Sequence, residues 1–165
     1  MQVNNVHSRR YAASVEQVGG LLDSLASDDD RLWPHERWLP MQLDRPLGVG
    51  ARGGHGPIRY RVVSYQPGRS VAFRFEAPAG FVGVHRFEVE AVGAGRTELR
   101  HTIDMQASGR ARLKWQLVIR PLHDSLLEDA LDKAQAELEF RPLQLCPLPL
   151  QVRMLRWLLR RRRDR

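Results

Sequence analysis

Four stretches decide how this chain folds: Ile58-Arg59-Tyr60-Arg61-Val62, Val71-Ala72-Phe73-Arg74-Phe75-Glu76, His85-Arg86-Phe87-Glu88-Val89-Glu90-Ala91 and Leu99-Arg100-His101-Thr102-Ile103-Asp104-Met105. In each, apolar or ring-bearing side chains alternate with polar ones. That two-residue period belongs to a β-strand with one covered and one wet face. Turn chemistry separates the stretches at Gln66 to Arg69, Ala77 to Gly83 and Gly93 to Gly95, after an earlier turn at Gly53 to Pro57. Alternation broken by short glycine- and proline-bearing turns predicts an antiparallel meander.

Downstream of Gly109 the period lengthens. Leu122, Leu126, Leu127, Ala130, Leu131, Ala134 and Leu138 recur at three- and four-residue steps and form the apolar stripe of a long helix. Residues 110–120 read either as a last strand or, in preference, as an earlier helical piece joined to it through a bend at Pro121. Upstream, Val3 to Ala13 reads as extended. Ser14 with Gln17 is a capping box for a short helix whose apolar face is Val15, Val18, Leu21, Leu22 and Leu25. Gly19 and Gly20 either weaken that helix or permit close packing. Three prolines and two tryptophans between Leu32 and Pro46 predict an ordered loop or a pair of short helical turns whose aromatics pack on something.

These elements predict an α+β fold in which a curved antiparallel sheet wraps around a long C-terminal helix, with an extra basic amphipathic segment at the end. The expected organisation is one domain over residues 1–140, a proline-rich linker over 141–149 and a tail over 150–165. A twisted sheet curling round a helix can leave an apolar cavity between them.

The net charge of +7 is a property of the tail: residues 151–165 hold seven arginines against one aspartate, leaving 19 basic and 18 acidic residues in the rest. A nearly neutral body argues against nucleic acid as a partner. In the tail, Arg153, Arg156 and Arg160 share a narrow face and apolar residues including Met154, Trp157 and Leu158 occupy most of the remainder. Such a helix can lie on an anionic membrane surface, dock on a partner or on its own chain, or fray. A single cysteine, Cys146, excludes an internal disulfide and a multi-cysteine zinc site and reads as an inert linker thiol. No leader-like or bilayer-length apolar run is present, so a cytoplasmic location is expected, peripheral to the membrane if the tail binds it.

The order of elements resembles the SRPBCC superfamily, also called START-like or helix-grip proteins, which includes polyketide cyclase-like domains. The stretches that carry the likeness are Ala12-Ala13-Ser14-Val15-Glu16-Gln17-Val18 after the opening strand, Trp33-Pro34, Gly53-Gly54-His55-Gly56 before a strand, Gln66-Pro67-Gly68-Arg69 between strands, and the closing helix. The resemblance covers roughly residues 3–140. It implies a deep pocket for a lipid, polyketide, hormone or other apolar molecule, with enzymes in the minority.

Gly48-Val49-Gly50-Ala51-Arg52-Gly53 matches the dinucleotide fingerprint literally, but Pro57 and an alternating strand follow where that fingerprint needs a helix. His123-Asp124 resembles a dyad, yet helix neighbours point apart, and Asp124 is expected to serve the helix start. No Gly-x-Ser-x-Gly elbow and no His-Glu-x-x-His motif is present.

His85 and His101 fall in the covered phase of two strands of one hairpin and should lie opposite or diagonal to each other. Such a pair can be hydrogen-bonded core, a ligand contact, an acid and base of a cyclase or dehydratase, or part of a metal site; zinc would need His55 or His123 brought in by the fold. The expected ligand-binding residues are Tyr60, Phe73, His85, Phe87, His101 and Trp115, with entry near the loop at residues 32–46. His85 and His101 are the catalytic candidates, and neither a resident metal nor a cofactor is expected.

Overall fold

The alternation over residues 58–105 produces the centre of a seven-stranded antiparallel sheet, ordered β1-β7-β6-β5-β4-β3-β2. Its strands are β1 (Gln2–Tyr11), β2 (Gln42–Leu43), β3 (Arg52–His55), β4 (Ile58–Gln66), β5 (Ser70–Ala77), β6 (Phe81–Gly93) and β7 (Arg96–Ala107). The computed structural model describes residues 1–163. Register shifts in the β4–β5 and β6–β7 ladders mark local irregularities of the kind that bend and twist a sheet.

Helix α1 (Val15–Asp23) opens on the expected capping box: the Ser14 hydroxyl accepts from the Gln17 amide, and the Gln17 side chain accepts from the Ser14 amide. At the other end of the chain, α2 (Arg110–Lys114), a π-helical turn (Trp115–Ile119) and α3 (Arg120–Leu138) follow one another directly. That turn lies immediately before Pro121, where a bend was expected, and the Arg120 amide donates to the Trp115 carbonyl. A five-residue step shifts the helical ladder beside a residue that has no N–H to give.

The α3 stripe packs on the sheet as its period requires: Leu126, Leu127, Leu131 and Ala134 are buried in one core with α1 and the inner side chains of β4 to β7, and Ala130 is buried as well. A second cluster of Val3, Phe81, Ile103, Met105, Ala107, Ala111 and Trp115 fills the end nearest α2. The other side of α3 carries the loop after α1. Asp129 accepts from the Trp38 indole at 2.7 Å and pairs with Arg37, while Lys133 reaches the Asp30 and Trp33 carbonyls and the Glu36 carboxylate. These partners allow a lysine and an aspartate to be buried in the middle of a helix.

The tail forms α4 (Leu150–Arg163), which docks on its own chain. Val152 is buried, Arg156 donates to the Arg37 carbonyl at 2.6 Å, and its guanidinium lies 4.6 Å from the centre of the Trp38 ring. Side chains from Arg160 onward, with all of Asp164 and Arg165, lie outside the described residues.

One glycine of α1 is needed for packing and its neighbour is not. A Cβ on Gly19 would stand 2.5 Å from the Gly68 carbonyl oxygen, whereas one on Gly20 would meet nothing closer than 4.0 Å. Gly19→Ala is expected to lower the unfolding free energy by about 1–3 kcal/mol, and Gly20→Ala to raise it by about 0.5–1 kcal/mol. Urea denaturation of the two variants checks this, and equal midpoints would contradict the packing.

Candidate functional site

Inner-face side chains of β3 to β7 form a connected row of rings. Tyr60 donates to or accepts from Nδ1 of His55 at 3.1 Å and lies edge-on to His85, with ring centres 4.8 Å apart. His85 stacks on Phe73 at 4.8 Å and meets His101 through Nδ1 and Nε2 at 3.3 Å. Phe87 stands 4.5 Å from His101, and the His123 ring of α3 stands 5.1 Å beyond it. The register explains the pair: Phe87 opposes His101 and His85 opposes Ile103, so the two imidazoles are diagonal neighbours on one face. Of the six residues the sequence singled out, five therefore lie in this row. Trp115 sits at its end, 6.1 Å from the His123 ring and within the second cluster.

Burial holds these imidazoles neutral. It lowers His85, His101 and His123 below the ordinary histidine value and brings His55 down to about 3. A neutral imidazole has one donor and one acceptor, so the bond between His85 and His101 couples their tautomers. Their outer nitrogens, His85 Nε2 and His101 Nδ1, have no protein partner. Whichever ring donates at the shared bond, one outer nitrogen is a donor and the other an acceptor.

β1 contributes residues that the strand pattern did not single out. Its inner face is Val3, Asn5, His7, Arg9 and Tyr11, and His7 lies directly across the ladder from His101. Opposite it, α3 presents Asp124, Glu128 and Asp132 at four-residue steps. His7 is 2.8 Å from Glu128 and 3.1 Å from Asp124, Asn5 donates to Asp124 at 3.0 Å, and Arg9 pairs with Glu128 and Asp132. Burial pushes the Asp124 carboxyl up, but the facing His123, His7 and Asn5 groups outweigh it and hold it at about 2. Asp124 is thus not a helix-start residue, because the helical run begins at Arg110, well before it. His123 and Asp124, although sequence neighbours, both turn towards His7.

The row is sealed. His85 and His101 are 5% and 2% exposed, and they do not face an open cavity. Two surface depressions lie elsewhere. One of about 170 Å³ occurs at the loop where entry was expected, lined by Ser27, Asp28, Asp30, Trp33, His35, Pro40 and Met41. The other, of about 340 Å³, is lined by Arg74, Phe75, Phe81, Val82, Gly83 and Val84. It marks a split in the sheet: beyond Arg74 and Val84, the end of β5 follows β4 and the start of β6 follows β7. Phe75 stands at this split with its ring 5.0 Å from His85.

The architecture is the helix-grip fold, a curved antiparallel sheet around a long C-terminal helix. Solved structures with this fold include a Thermobifida fusca protein (TM-score 0.63, 16% identity, covering 84% of this chain and 97% of that one). CalU16 from Micromonospora echinospora aligns at TM-score 0.58 and 14% identity over 93% of this chain and 82% of its own. A Thalictrum flavum norcoclaurine synthase point mutant in complex with a transition state analogue aligns at 0.62 and 13%, over 85% and 96%. No protein-family model and no curated protein matches the chain.

Buried neutral histidines tie stability to pH. Because the folded values lie below the ordinary 6.5, the unfolded chain takes up protons first as pH falls through that value. Stability is therefore full above about pH 6.5 and declines towards about pH 3. Thermal midpoints should fall between pH 7 and 4.5, and His55→Gln should make the fall shallower. A midpoint unchanged over that range would show that these imidazoles are not held neutral.

Proposed function

We propose that the protein binds a small, mainly apolar molecule that carries one hydrogen-bonding oxygen, entering at the split between β5 and β6. His85 Nε2 supports this reading most directly: it is buried, has no protein partner and lies one ring behind the 340 Å³ mouth at Phe75. An unmade hydrogen bond at a buried nitrogen costs about 1–3 kcal/mol, and a ligand hydroxyl or carbonyl admitted past Phe75 would supply it. Tyr60, Phe73, Phe87 and Trp115 provide the apolar wall, and His101 holds the tautomer of His85. Burial of the ligand would contribute about 25 cal/mol for each Å² removed from water.

The sealed pair counts against His85 and His101 acting directly as acid and base on a substrate in an open pocket. The cyclase-like reading instead requires the coupled tautomers to pass a proton along the row after a ligand has entered.

Native mass spectrometry with medium-chain fatty acids, naphthols and aromatic polyketones is expected to reveal a saturable one-to-one complex. His85→Phe should weaken it about tenfold, the loss of one hydrogen bond to a buried group. Phe75→Ala should speed association. A folded chain that takes up none of these probes would end the proposal.

A second reading concerns α4. With Val152 turned inward, Leu150, Met154 and Leu158 are left exposed on the opposite face, on a segment rich in arginine. That combination suits the surface of an anionic bilayer, and among the described residues no helix is long and apolar enough to cross one. The intact chain should float with phosphatidylglycerol vesicles at low salt, and the Met154→Glu, Leu158→Glu double variant should stay behind. Equal flotation of the two would remove α4 from the interaction.

A further inference from the structure

The groups where β1 meets α3 do more than join the helix to the sheet. His7, His123 and Asp124 each present one ligand atom, and all of these atoms lie within 4.8 Å of one another. His7 Nε2 is 3.1 Å and His123 Nδ1 3.8 Å from Asp124 Oδ1. Ligand atoms 2.0–2.1 Å from a tetrahedral zinc are separated by about 3.3 Å, so the two distances bracket the spacing a bound ion would impose. We propose that His7, His123 and Asp124 form a binding site for a divalent transition cation of the zinc class.

Three further observations fit a metal better than a set of ion pairs. His123 Nδ1 is buried and has no hydrogen-bond partner, although a carboxylate lies beside it. His7 is already oriented: Glu128 sits 2.8 Å from Nδ1 and can keep that proton, so that a bound ion would take the Nε2 lone pair in place of the present Nε2 contact with Asp124. A carboxylate behind a ligating histidine is the usual outer partner of a metal site. Asn5 steadies Asp124 in the same way. Finally, His101, across the ladder from His7 and 5.1 Å from the His123 ring, gives the inner side of the cluster another neutral nitrogen without a partner.

Two imidazoles and one carboxylate leave coordination positions open, and the donor set suits zinc or ferrous iron rather than calcium or magnesium. The side chains of His7, His123 and Asp124 are 13%, 12% and 36% exposed, so an ion can reach the site from solvent without unfolding the core. The site does not rest on the apolar-ligand reading. Zinc uptake by a chain that binds no apolar molecule, or the reverse, separates the two.

The test uses the full chain, stripped with chelator and given Zn²⁺ alone, with retained metal measured after gel filtration and Co²⁺ absorption as a second readout. About one equivalent is expected, with visible Co²⁺ bands typical of nitrogen and oxygen ligands. His123→Gln and Asp124→Asn should abolish retention and the bands, and Glu128→Gln should weaken affinity about 10- to 100-fold. His35→Gln, remote from the cluster, should change nothing. If His123→Gln does not fold by circular dichroism, Asp124→Asn on the more exposed side chain carries the comparison. Negligible retention by the folded parent chain, or equal retention by the folded ligand variants, overturns the site.

Discussion

The polar seam between β1 and α3 governs the rest of the structure. A strand advances about 6.8 Å over two residues and a helix about 6 Å over four, so side chains at these two steps stay nearly in register for two repeats. Asn5, His7 and Arg9 meet Asp124, Glu128 and Asp132 in that way. Because several partners share the contact, it sets the direction and height of α3 above the sheet. Individually exposed ion pairs contribute little; a half-buried network with matched spacing contributes specificity.

With the helix placed there, the interior is filled by rings. Stacked and edge-on contacts from Tyr60 to His123 occupy the space a helix-grip architecture can leave open. The polar atoms of that filling are mostly imidazole nitrogens, which burial keeps neutral and which bond to one another where they can. An interior of this kind is apolar enough to pack and still presents a few directed donors and acceptors. The opposite side of α3 is secured differently, by Asp129 and Lys133 reaching the tryptophan-bearing loop, so the long helix is enclosed on nearly every side.

Much of this was legible in the residues. The meander, the α1 capping box, the α3 stripe and the proximity of His85 and His101 on one face all follow from local periods and turn chemistry, which depend only on neighbouring residues. β1 was harder to read because its inward positions Asn5, His7 and Arg9 are polar: a two-residue period marks the buried face only when that face is apolar. At Pro121 the interruption was legible but its form was not, since a π-helical turn immediately before it shifts the hydrogen-bond ladder. The tail pattern fitted several surfaces, and Trp38 and Val152 show that one of them is the chain's own.

The amino-acid sequence by itself determined the α+β class, the antiparallel order, the ring-bearing face of the sheet and the charge of the tail, because each is written in short-range periodicity or composition. Only the tertiary structure decided that His7, His123 and Asp124 converge, that the histidine row is sealed, and that the sheet opens between β5 and β6. Those outcomes depend on which distant side chains share a space, and packing of the whole chain settles that.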